Sequence, residues 1–93
     1  MRIAVLHVEI HIPYSQSLKE KRMVLRRVKD RLQKFNIAIA EVEHHDKWQR
    51  AGLGLVAIST TDQHVEQELA AAIDEIERVE PGMVTRTEIE FLK

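Results

Sequence analysis

Arg2-Ile3-Ala4-Val5-Leu6-His7-Val8-Glu9-Ile10-His11-Ile12 is the stretch that decides the fold. Ala4, Leu6, Val8, Ile10 and Ile12 fall on one side of an extended chain, and Ile3, Val5, His7, Glu9 and His11 on the other. That two-residue alternation, with one side wholly apolar, is a strand with one face in a core. Pro13 ends it, because proline cannot donate to a sheet ladder. Ser17 then reads as a helix N-cap, and Glu20 three residues on supplies the second half of a capping box. The helix is expected to run to about Lys34, with Leu18, Val24, Leu25, Val28, Leu32 and Phe35 on one side.

Working outward, a second strand is expected over about 36–45, with Ala38, Ala40 and Val42 opposing Ile37, Ile39, Glu41 and Glu43. The polar connection 45–50 leads to a third strand over about 52–60, in which Gly52, Gly54, Val56 and Ile58 alternate with Leu53, Leu55 and Ala57. Thr61 or Asp62 can cap a second helix whose stripe is Val65, Leu69, Ala72, Ile73 and Ile76, and Pro81-Gly82 stops it. Residues 83–92 alternate once more. The order βαββαβ, built from two right-handed split βαβ units, is an α+β, ferredoxin-like sandwich: a four-stranded antiparallel sheet with two helices on one face. The 93 residues suit a single domain, 1–93, without a linker or a low-complexity segment. The helix-free face is expected to carry His7, Glu9, His11, Glu41, Glu43, Arg86, Glu88 and Glu90. Beside them it is expected to carry an apolar patch of Ile3, Val5, Ile37, Ile39, Leu53 and Leu55. So apolar a face is expected to pair with a second copy, as a homodimer, or to be covered by an extended segment of the chain.

Composition narrows the function classes. Without cysteine there is no disulfide framework, thiolate zinc site or cysteine nucleophile. No apolar run approaches the roughly 20 residues of a membrane-spanning helix. The opening residues lack the uninterrupted apolar stretch of a signal peptide, so a cytoplasmic protein is expected. The net charge of −1 hides a split, with 11 Lys/Arg against 6 Asp/Glu in residues 1–50 and 3 against 9 in residues 51–93. Eight of the basic residues lie between Lys19 and Lys34. Such a split either serves an anionic partner or sets a basic helix beside an acidic one.

Three stretches together resemble a known family. They are Glu9-Ile10-His11-Ile12-Pro13 running into Ser17-Leu18-Lys19-Glu20-Lys21-Arg22, then Ala40-Glu41-Val42-Glu43-His44, then Asp46-Lys47-Trp48-Gln49-Arg50-Ala51. The chain from about residue 2 to residue 80 is similar to the YlxP-type family of small bacterial proteins of unassigned function. The resemblance implies a ferredoxin-like fold, often dimeric, and no established activity. Genes of that family commonly sit among those for transcription termination, translation initiation and ribosome-binding factors, which implies association with RNA or a ribosomal particle.

The residues themselves offer several candidate surfaces. Lys19, Arg22, Arg26, Arg27, Lys29 and Lys34 can lie along successive phosphates of an RNA, or form an ordinary solvated helix face. Trp48, between Lys47 and Arg50, reads as a platform for an unpaired base or as a plug for the core or a subunit contact. The loop Pro13-Tyr14-Ser15-Gln16-Ser17 delivers a helix N-terminus with two hydroxyls. Ser15, Ser17 and Lys21 are therefore the candidate anion site of an alternative enzyme or phosphate binder. Lys21 itself falls in the apolar stripe, from which it can snorkel to the rim or aim at that loop. Acylphosphatases share the length and topology but place glycines and an anion-binding arginine in the first loop, and this loop has neither. His7 and His11 could give two ligands to zinc, with Glu41, Glu43 or His45 from a neighbouring strand, but the spacing fixes no tetrahedral set. The acidic second helix, with Glu66, Glu68, Asp74, Glu75 and Glu77, could meet a basic partner. No catalytic residue, metal or cofactor is assigned. A non-catalytic module bound to RNA or a ribosomal particle, away from membranes, is the leading expectation.

Overall fold

The computed structural model describes residues 1–92, in the order β1 (Arg2–His11), α1 (Leu18–Leu32), β2 (Ile37–Glu43), β3 (Arg50–Ser59), α2 (Asp62–Val79) and β4 (Val84–Leu92). The strands form one antiparallel sheet in the order β2-β3-β1-β4, which is the ferredoxin-like arrangement. Both helices press their apolar stripes onto the same sheet face. Ala4, Leu6, Val8 and Ile10 of β1 meet Val24, Leu25, Val28 and Leu32 of α1 and Val65, Leu69, Ala72 and Ile76 of α2 in one apolar cluster. No helix among the described residues is long and apolar enough to cross a membrane.

Local chemistry sets the element ends. The Ser17 side chain accepts from Glu20 N at 3.1 Å, and Glu20 Oε2 reaches back to accept from Gln16 N at 2.9 Å. This is a capping box displaced by one residue: it answers one orphan N–H of the first turn, at Glu20, and ties the residue before the cap to the helix. Thr61 caps α2 by accepting from His64 N at 3.2 Å. Gly82 adopts φ +81° after Pro81, the left-handed turn that glycine makes at least cost.

The strand registers correct part of the expected face assignment. β1 pairs Val8 with Leu53 and Leu6 with Leu55, so both leucines share the helix-covered face and are buried. Ile37 and Ile39 pair with Ala57 and Leu55 on that same side and pack against the core. Glu41 pairs with Leu53 and also lies on the helix side. The open face instead carries Ala38, Ala40, Val56, Ile58 and Leu92 beside Ile3 and Val5. His7, Glu9, His11, Arg86, Glu88 and Glu90 are on the open face as expected. β3 also starts earlier than the sequence suggests, because Arg50 still pairs with His11.

Two irregularities shape that face. The register of β2 on β3 shifts between Glu41 and Glu43, which brings Val42 over Gly54 and Glu43 over Gly52. A Cβ on Gly52 would lie 2.8 Å from Glu43 Cβ, so only glycine lets the bulged strand close here. A second shift, between Glu9 and Ile10, bends β4 at Thr85.

Candidate nucleic-acid interface

Lys21 is the one charged side chain in the apolar stripe of α1, and it is 1% exposed. It neither snorkels to the rim nor points into the first loop. Its ammonium donates to Glu41 Oε2 at 2.8 Å, His44 O at 2.9 Å, Arg50 O at 3.3 Å and His45 O at 3.5 Å. These acceptors come from β2, the β2–β3 connection and the first residue of β3. The first loop is tied to the same connection: Gln49 Nε2 donates to Pro13 O at 3.0 Å and Ser15 O at 3.2 Å, and Ile12 N donates to Gln49 O at 2.8 Å. The stretches that carry the family resemblance thus meet at one end of the sheet.

The hydroxyls of the candidate anion site are used internally. Ser15 is buried and its Oγ donates to Ser17 O at 3.1 Å, while Ser17 Oγ caps α1. The carboxylate of Glu20 already sits at the helix start, on Gln16 N. Ser15, Ser17 and Lys21 therefore do not converge on a shared open space.

Trp48 is 54% exposed and does not plug the core. With His11, Asp46, Lys47, Gln49 and Arg50 it lines a shallow groove of about 430 Å³ at the tip of the connection. Arg50 leans on Glu9, which also lies 3.2 Å from His44 Nε2. The hydrogen bond from Arg50 holds the Glu9 carboxyl below its ordinary range. Burial opposes it as the next largest effect, and the charge of Arg50 and the neighbouring His44 add smaller lowering contributions. His44 makes the approach with φ +62°, a left-handed conformation at the end of β2.

The basic residues of α1 divide between two flanks. Arg27 Nη2 donates to Val79 O at 3.4 Å, and Lys34 Nζ lies 3.1 Å from Glu75 Oε2, so both turn towards α2. Arg31 and Arg78 complete a set of three cations around Glu75, which is 4% exposed. Their hydrogen bonds, Arg31 first and then Lys34, hold that carboxyl below its usual range, against an opposing effect of burial. The expectation of a basic helix beside an acidic one is thus realised on this flank. Arg22, Arg26 and Lys29, spaced i, i+4 and i+7, form a stripe on the flank turned away from α2. With Lys19 they make no ion pair among the described residues.

The open face holds a second depression, about 290 Å³, over Gly52 and rimmed by His7, Glu9, Glu43, Arg86 and Glu88. Among the described residues no group of three or more His, Asp or Glu is placed to hold a metal ion. Sequence reasoning placed Lys21 in the apolar stripe and Glu75 on the acidic helix, but foresaw neither the cage around the one nor the three cations around the other. The signal in both cases was a charged residue at a helix position flanked by apolar ones, Val24 and Leu25 for Lys21 and Ala72 and Val79 for Glu75.

The family described as "Protein of unknown function (DUF503)" matches residues 3–89. "Uncharacterized protein YlxP" of Bacillus subtilis (strain 168) is 45% identical over 76 residues, which covers 77% of this chain and 82% of that protein. Among solved structures, the de novo designed protein Ferredog-Diesel superposes with a TM-score of 0.59 at 19% identity, over 95% of this chain and 83% of its own. The de novo designed protein LFR1 1 with ferredoxin fold gives a TM-score of 0.54 at 12% identity, over 99% of this chain and 83% of its own. At those identities the two designs speak for the fold alone.

Proposed function

We propose, from the premise that the chain belongs to the family described as "Protein of unknown function (DUF503)", that it is a non-catalytic module that binds single-stranded RNA, free or on a ribosomal particle. The observation that carries the reading is the exposed Trp48, held in a groove between Lys47 and Arg50 rather than in the core. An indole with cations beside it stacks on an unpaired base and tolerates any sequence, because every base has a π-face. The unpaired stripe Arg22, Arg26 and Lys29 adds phosphate contacts, starting one residue after Lys21, which itself grips the connection that bears Trp48. A strand lying along the stripe, about 10 Å long, reaches the hairpin at the N-terminal end of α1.

The test is RNA binding measured over a range of salt concentrations, beside sedimentation of the tagged protein with lysate at low and moderate salt. Wild type should bind an unstructured RNA with an affinity that falls as salt rises, and should comigrate with a ribosomal particle only at low salt. Alanine at Arg22, Arg26 and Lys29 together should lower the salt slope by about 3, one for each phosphate no longer neutralised. Trp48→Ala should cost about 1–3 kcal/mol without changing the slope. Equal affinities for all three proteins would rule this surface out.

The same reading takes a second copy of the chain as partner on the open sheet face. Ile3, Ile58 and Leu92 in one row, and Val5 and Val56 in the next with Glu90 at its β4 edge, make its end away from the hairpin largely apolar. A two-fold axis through that end sets apolar rows on apolar rows and leaves the two hairpins at opposite ends.

A further inference from the structure

We infer that Lys21 is the positioning residue of the Trp48 groove: its buried ammonium is the clasp that gives the β2–β3 connection one conformation. The inference takes its functional meaning from the RNA reading above, but its structural content stands apart from it.

The connection has no turn chemistry sufficient to fix itself. Six residues, 44–49, separate the strands, too many for the two-residue turns whose backbone twist alone sets a hairpin. Its own bonds are few: Lys47 N donates to His44 O at 3.0 Å, and His45 Nε2 lies 3.0 Å from Glu41 O. All but one of its side chains are exposed, so burial adds little to its order. What gathers both limbs is a single group from another element. The three protons of the Lys21 ammonium are directed at Glu41 on β2, at the carbonyls of His44 and His45, and at the carbonyl of Arg50 across the hairpin.

The side chain is suited to that work. An ammonium is a compact cation whose three donors rotate to meet carbonyls from different directions, which a planar guanidinium does not do. Burial strengthens each contact, and Glu41, largely covered itself, supplies the counter-charge that a buried cation requires. Trp48 stands two residues before Arg50 and four after His44, between the two limbs that the ammonium holds. Gln49 binds the other side of the connection to the first loop, so once Lys21 is in place the indole has a fixed base.

The test compares wild type, Lys21→Met and Glu41→Gln, all without RNA, by amide hydrogen exchange and by acrylamide quenching of the single tryptophan. Lys21→Met should raise exchange within 44–50, read at the Lys47 amide that bonds His44 O, by about tenfold or more, with β1 and α2 amides little changed, and should make Trp48 more readily quenched. Glu41→Gln keeps an acceptor and all three carbonyls but removes the counter-charge of the buried ammonium, and should raise exchange in the same segment by less than Lys21→Met does. A uniform rise across the sheet, or no local rise at 44–50, would overturn the inference, since Lys21 would then serve the whole fold or nothing. If Lys21→Met does not fold, Glu41→Gln decides alone: a rise confined to 44–50 supports the clasp and its absence overturns it. Binding to an unstructured RNA is measured last. If Trp48→Ala binds as wild type does, the RNA reading fails while the exchange result still stands or falls by itself.

Discussion

Glu75 occupies a core position on α2, three residues after Ala72 and next to Ile76, yet it is ionised and shared by Arg31, Lys34 and Arg78. Its depressed pKa ties stability to pH. Between the folded value and the higher unfolded value, the unfolded chain binds the extra proton, so stability rises with pH through that window. The contribution is therefore complete above the ordinary glutamate range and is lost as pH falls through the folded value. Glu75→Gln should lower the melting temperature at neutral pH, where it leaves three cations facing one another. The gap from wild type should close progressively on acidification. Thermal melts of both proteins across the acid range check this; a gap independent of pH would mean that packing, not charge, is what Glu75 contributes. At this scale the sequence was half legible. Lys21 and Glu75 both stand out as charges in apolar stripes; Arg78, three residues from Glu75, is a local partner, but Glu41 and Arg31 lie 20 and 44 residues away and no local pattern names them.

The elements and their order follow from periodicity and caps, because β1, α1 and α2 each bury one apolar face and show it in sequence. Which side of β2 and β3 turns inward was not legible. In β3, Leu53 and Leu55 alternate with Gly52, Gly54, Val56 and Ile58, so neither side is polar and alternation has no sign. In β2, Glu41 marks its side as polar, and only the buried Lys21 explains why that side faces the helices. The bulge that swings Val42 and Glu43 over two glycines is likewise invisible until the strands are paired. It carries its own prediction. Gly52→Ala should destabilise by about 1–3 kcal/mol, because the new Cβ meets Glu43 Cβ and the bulge must open. Gly54→Ala should cost less, since its Cβ meets the tip of the Val42 side chain at 3.3 Å. Urea unfolding of the two variants gives the comparison, and equal losses would contradict the bulge geometry.

On the scale of the whole molecule, the open sheet is divided along its strands. Ile3, Val5, Val56, Ile58 and Leu92 lie at one end, where Glu90 beside Val5 is the charged residue of the edge strand, and His7, Glu9, His11, Arg86 and Glu88 lie at the other. That division gives the proposed dimer a definite overlap and a simple check. Sedimentation at micromolar concentration should show a dimer for wild type and a monomer for Val56→Lys with Ile58→Lys, whose side chains are 39% and 45% exposed in the single chain and so open to substitution. Wild type sedimenting as a monomer would exclude this assembly. The charge imbalance between the two halves of the sequence was legible from the start. Its local neutralisation at Glu75, and the stripe left over at Arg22, Arg26 and Lys29, needed the packing of α1 on α2.

The caged ammonium also bears on how such a sequence can drift. Loss of Lys21 alone strands a carboxylate and three carbonyls, and loss of Glu41 alone strands a cation inside the protein; either step is costlier than replacing both by a matched apolar pair. Lineages of this fold are therefore expected to hold the two positions together or to exchange them together. Half-changed intermediates should be rare.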